Sequence, residues 1–133
     1  DNSIEYLRSI ASPNVEFTGF LPEEDLIKLY QKAKVYCQLS YQEGEGAGGA
    51  VGEAMACECI PVVSDKAIAL KETVDDIAFY APYGDHKKTA EVIKEALNAP
   101  DELGKKARER IVKLFPPEKR ERKLKGIMKH NKL

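Results

Sequence analysis

No stretch of about 20 apolar residues occurs in this 133-residue sequence, which excludes a membrane-spanning helix. No charge of one sign prevails. Lysine and arginine number 21 against 22 acidic residues, a formal net charge of −1, and that balance speaks against a nucleic-acid partner. Cysteine is scarce and odd in number. Cys37, Cys57 and Cys59 show no regular spacing, which argues against a disulfide scaffold and fits a reducing, cytoplasmic setting. No metal site is expected: zinc needs about four ligands, and the two histidines, His86 and His130, stand apart from the Cys57 and Cys59 pair. The thiols read as small apolar packing groups. Asp1-Asn2-Ser3 is no charged lead into an apolar run, so no secretory signal is seen. The missing initiator Met points to a processed or excised chain. Repeats, low-complexity tracts and Gly/Ser-rich linkers are absent as well.

What is present reads as strands alternating with helices. Val15 to Gly19 alternates as a short strand. Pro22-Glu23-Glu24-Asp25 opens a helix carrying Leu26, Leu29, Tyr30 and Ala33 at helical spacing. Val35 to Ser40 is the next strand, Tyr41 to Gly49 a glycine-rich loop, and Ala50 to Cys57 a helix. Ile60 to Ser64 reads as a strand buried on both faces, Ala69 to Val74 as a short helix, Ile77 to Tyr80 as a strand, and Ala81 to Gly84 as a turn. Asp85 caps a helix with apolar Ala90, Ile93 and Leu97. Pro100-Asp101 starts another, with Ala107, Ile111 and Leu114 on one face, and Pro116-Pro117 stops it. The expected fold class is α/β, a mostly parallel sheet with flanking helices. Residues 1–117 form the domain, and 118–133 a basic C-terminal helix.

In such sheets ligands bind at the carboxyl ends of the strands. The glycine loop falls there, after strand 35–40. It holds two carboxylates eight residues apart, Glu45 and Glu53, with glycines between them. A glycine-rich turn opening a helix offers bare N–H groups and a dipole that favours anions. The carboxylates cannot serve phosphates; they suit hydroxyl groups. Phosphate on amides and polyol on carboxylates together indicate a nucleotide-sugar. The loop also holds a competing pattern. Gly44-Glu45-Gly46-Ala47-Gly48-Gly49 satisfies G-x-G-x-x-G, with Asp65 after the next strand, and so outlines an NAD site. Against that alternative stand the residues Ser40 to Glu43 ahead of the first glycine, a short helix, and a mid-chain position.

Glu45-x7-Glu53-Ala-Met-Ala-Cys57, followed by Ile60-Pro61-Val62-Val63-Ser64-Asp65, resembles the signature of the retaining glycosyltransferases of family 4, which have the GT-B fold. The likeness extends over nearly the whole chain. Asn14 to Leu21 is similar to the family's strand and base-binding loop, Leu29 to Ala33 and Leu39-Ser40 to the elements before its glutamate motif. Glu72 to Asp75 resembles the family's helix after the donor loop, and Tyr80 to Asp85 its nucleotide-domain turn. The resemblance implies a Rossmann-like half of a GT-B fold, lacking its first strands. It implies retaining transfer of a hexose from a nucleotide-diphosphate sugar to a sugar, lipid or other acceptor, with no bound metal or cofactor.

It also assigns residues. Glu45 is the expected catalytic carboxylate and, with Gly46, Ala47 and Gly48, holds the donor sugar. Gly49 and Ala50 meet the diphosphate, and Glu53 accepts from the ribose. Gly19, Phe20 and Leu21 border the base. Glu43 is the other candidate for the first glutamate. Three positions depart from the family: Ala47 replaces an aromatic residue, Glu58 replaces a glycine that caps the helix, and Lys66 to Lys71 replaces a glycine-rich donor loop. The implied partners include an absent N-terminal acceptor domain, without which this stretch is expected to be inactive. The basic end, Lys119 to Lys125 with Lys129 and Lys132, reads as a solvated face, a dock for that domain, or a contact to an anionic membrane surface on the cytoplasmic side. A non-catalytic nucleotide-sugar-binding module remains a further alternative.

Overall fold

A computed structural model describes residues 2–41 and 49–116. Two helices come first, α1 (Asn2–Ile10) and α2 (Glu23–Lys32). The strands β1 (Val35–Gln38), β2 (Ile60–Ser64) and β3 (Phe79–Ala81) alternate with α3 (Ala50–Ala56) and α4 (Ile68–Val74). A 3₁₀ turn, Asp75–Ile77, precedes β3, and α5 (His86–Leu97) and α6 (Glu102–Leu114) follow it.

The three strands form one parallel sheet in the order β1-β2-β3. Every residue of central β2 is buried, as a parallel strand covered on both faces requires. Its side chains alternate between two cores. Ile60 and Val62 pack with Ala81 and Ala96 of α5, whereas Val63 packs with Met55 of α3, Leu70 of α4 and Ile111 of α6. A proline is tolerated inside this strand for a local reason. The N–H of Ile60 donates to the Lys34 carbonyl at 2.8 Å, so the Pro61 nitrogen faces the opposite side. Pairing with β3 begins only at Val62, hence no ladder bond is lost.

The expected α/β class and parallel sheet are found. Three local expectations are corrected. Residues 15–19 are not a strand: among the described residues no strand lies beside them to pair with, and an isolated extended segment is not stable. The strand expected at 77–80 lies at Phe79–Ala81, because the 3₁₀ turn takes up Ile77. Leu114 is exposed rather than on the buried face of α6, which Ala107 and Ile111 define. The cap on α5 is as expected, with Asp85 accepting from the Lys88 N–H at 3.0 Å. The expected basic helix 118–133 lies outside the described residues.

The end of α3 explains one departure from the family pattern. The Cys59 N–H donates to the Ala54 carbonyl at 3.0 Å and the Glu58 N–H to Met55 at 2.9 Å. This is a Schellman closure, and it places Glu58 in the left-handed region at φ 69°. Glycine adopts that conformation without a Cβ clash. Glu58→Gly is expected to raise stability by about 1 kcal/mol, seen as a higher urea midpoint. On the same side of the sheet, α6 closes the ends of two helices. Arg108 donates to the Ala56 carbonyl at 2.6 Å, and Arg110 to the Thr73 and Glu72 carbonyls at 2.6 and 2.7 Å. Cations belong at these helix C-termini, where carbonyls lack intrahelical partners. Between them, the buried Thr73 hydroxyl has no hydrogen-bond partner. Thr73→Val removes an unsatisfied polar atom at constant shape, and a gain of about 1 kcal/mol in urea unfolding is expected.

Candidate functional site

All three strands end on one side of the molecule, at Gln38, Ser64 and Ala81. There α3 begins. Gly49 is its N-cap, and among the described residues no side chain caps the first amides. Glu53 stands one turn in, its N–H bonded to the Gly49 carbonyl at 3.0 Å. The residue is only 8% exposed, although it carries a carboxylate. Beside it Gly52 faces α6, with the Ile111 Cδ1 3.9 Å from where a Gly52 Cβ would stand.

Electrostatics ties Glu53 to its surroundings. Tyr30 packs edge-on to Tyr36 at 5.9 Å between ring centroids. Burial, then Tyr36, then Glu53 push the Tyr30 hydroxyl above its ordinary range. Burial pushes the Cys57 thiol up to about 11, with Arg108 opposing and Glu53 and Glu58 assisting. Burial likewise takes Cys59 to about 12, with Cys57 adding to it, and its Sγ donates to the Tyr30 carbonyl at 3.1 Å. These thiols are protonated packing groups rather than nucleophiles. The folded protein holds their protons more tightly than the unfolded chain, whose thiols ionise near 9.0. Their contribution is complete below that pH and is lost as the pH climbs towards 11 and 12. Stability is expected to fall from about pH 9 upward, and the Cys57→Ala, Cys59→Ala double variant to flatten that fall in urea titrations at pH 8 and 10.5.

A cavity of about 450 Å³ opens at the same ends of the strands, on the α5 side. Leu39, Ser64, Ala81, Tyr83, Thr89 and Ile93 are among its walls. Asp65 fixes the turn after β3 by accepting the Tyr83 N–H at 3.0 Å. The Ser64 hydroxyl accepts the Lys66 N–H at 3.0 Å. Among the described residues no three His, Cys, Asp or Glu side chains converge as metal ligands would.

The profile of the family described as glycosyl transferases group 1 matches residues 8–113, most of the chain and all of this site. The chain belongs to that family. Its sheet and flanking helices form a Rossmann-like half of a GT-B glycosyltransferase. The chain is also similar to the O-antigen chain mannosyltransferase B of Escherichia coli, 35% identical over 71 residues. That match covers 53% of this chain and 18% of the relative. No solved structure matches at a significant level. In this member of the family no helix among the described residues is long and apolar enough to cross a membrane.

The expected site residues fall into three groups. Gly49, Ala50 and Glu53 come together at the start of α3. Glu45, Gly46, Ala47 and Gly48, together with the alternative Glu43, lie outside the described residues. Gly19, Phe20 and Leu21 sit in the connection between α1 and α2. Gly19 has φ 66°, which favours glycine, and Phe20 is 93% exposed. The cavity around Tyr83 escaped sequence reasoning. The usable signal was position: Leu39, Ser64 and Tyr83 each follow or end a strand.

Proposed function

We propose that this glycosyltransferase domain is the donor-binding half of a retaining enzyme of family 4, transferring a hexose from a nucleotide-diphosphate sugar to a sugar or lipid acceptor. The buried carboxylate of Glu53, one turn into a helix whose first amides have no side-chain cap, carries the reading. An anionic diphosphate suits those amides and the dipole behind them. A carboxylate in the same turn would repel phosphate but accepts two vicinal hydroxyls, as a ribose presents. Gly49 and Ala50 therefore take the diphosphate, Glu53 the ribose, and Gly19, Phe20 and Leu21 the base. Glu45, with Gly46, Ala47 and Gly48, holds the hexose and supplies the catalytic carboxylate. Transfer requires no bound metal, because helix amides do the work of a cation.

The similarity to a mannosyltransferase makes mannose the first sugar to test. Acceptor binding belongs to a further domain, and the basic stretch Lys119 to Lys125 serves either that domain or an anionic membrane on the cytoplasmic side. Isothermal titration of the full-length protein with uridine, guanosine and adenosine diphosphates, run in EDTA, tests the reading. Saturable binding of one of them is expected, and NAD is expected not to compete. Preference for NAD would replace the transferase reading with a dinucleotide enzyme. Nucleotide-sugar binding without any turnover would leave a binding module.

A further inference from the structure

The α5 side of the site carries a second feature, separate from the start of α3. Two tyrosines meet at the mouth of the 450 Å³ cavity. Tyr83 lines it, and Tyr41 packs against Tyr83 with ring centroids 5.0 Å apart and planes inclined by 52°. Both rings are half exposed, at 50% and 54%. We propose that this cavity is a hexose subsite, with Tyr83 and Tyr41 as a stacking corner that recognises a pyranose ring. The proposal rests on the nucleotide-sugar reading above and adds residues to it.

Charge decides what the cavity can take. Among the described residues its charged or basic walls are Asp85 and His86, with no lysine or arginine. A phosphate would meet the Asp85 carboxylate there, which disfavours the diphosphate. A neutral polyol has no such penalty. The hydroxyls of Ser64 and Thr89 and the Asp85 carboxylate are partners for sugar hydroxyls. The apolar walls, Leu39, Ala81 and Ile93, suit the C–H face of a pyranose, and the negative face of an aromatic ring attracts those same C–H groups. The size lies within the range of small-molecule sites, roughly 300–1,000 Å³.

Ring geometry argues against a nucleobase. Two stacked neighbours of a planar base stand parallel with a slot between them. At 5.0 Å and 52° the tyrosines leave no slot and form one continuous corner. The corner is also held in place: Asp65 anchors the Tyr83 backbone N–H, and Tyr41 lies two residues beyond Leu39, which lines the cavity. Leu39 on the cavity wall follows β1, and Gly49 at the start of α3 comes ten residues later in the chain.

The hexose has two sources, the donor's glycosyl group or the acceptor. Full-length wild type, Tyr83→Ala and Ala90→Phe are titrated with a nucleoside diphosphate, its mannose derivative and methyl α-mannoside. Ala90 is an exposed cavity residue, so its larger replacement fills the cavity without entering the core. Loss of affinity of about tenfold in both variants is expected for the nucleotide-sugar, with nucleoside diphosphate binding unchanged, if the donor sugar fills the site. The same loss confined to methyl α-mannoside assigns the site to the acceptor. Sugar binding untouched in both variants would overturn the proposal. Failure of every nucleotide to bind, with Tyr83-sensitive mannoside binding retained, would remove the donor reading and keep the cavity.

Discussion

Replacing Gly104 by alanine is expected to destabilise the protein by about 3 kcal/mol. The cause is a single contact between segments remote in sequence. A Cβ on Gly104 would stand 2.3 Å from the Glu58 carbonyl oxygen and 3.2 Å from its carbon. Both are backbone atoms. They cannot rotate away as the end of a side chain could, because the Glu58 and Cys59 N–H groups hold that turn to α3. Relief therefore requires α6 to retreat from α3. That retreat would loosen Ile111 over Gly52 and stretch the 2.6 Å bond from Arg108 to Ala56. Alanine's better helix propensity, about 1 kcal/mol, offsets only part of this. Urea unfolding of Gly104→Ala beside the exposed control Lys105→Ala reads the effect. A midpoint equal to the control's would mean that α6 does not press on the α3 turn.

Glu53→Gln is expected to weaken nucleoside diphosphate binding about 30-fold, the equivalent of ~2 kcal/mol. Glutamine keeps the volume of a buried side chain, so the change tests chemistry rather than packing. A carboxylate accepts both hydroxyls of a ribose; the amide has one acceptor oxygen and turns its NH₂ towards the other hydroxyl. The 2′-deoxy nucleotide supplies the internal control. Wild type should prefer the ribonucleotide, and the variant should lose most of that preference, a coupling that a merely structural role would not produce. Equal ribo-to-deoxy ratios in the two proteins would remove Glu53 from the ribose.

Much of this arrangement is legible in the chain itself. The apolar run Ile60 to Ser64 announces a strand covered on both faces, and Asp85 announces the start of α5, because both signals lie within a few residues. Glu53 is singled out by its spacing, and the structure places it in the first turn of α3. The strand expected at 15–19 is not there. Alternation describes which faces a segment could show, whereas a strand also needs a neighbour to bond. Glu58 stands out as an odd residue where the family has glycine, but only the backbone shows that it accepts the left-handed conformation.

The amino-acid order alone establishes the class of the fold and most of the succession of its elements from β1 onward. Helical and strand periodicities, caps and glycine turns are local, and local chemistry is written in neighbouring letters. Packing in three dimensions sets the pressing of Gly104 on Glu58, the capping of two helices by Arg108 and Arg110, and the cavity built from Leu39, Ser64, Tyr83 and Thr89. Each joins segments far apart along the chain. Such contacts depend on how the sheet and helices come together in space, which no spacing of residues along the sequence encodes.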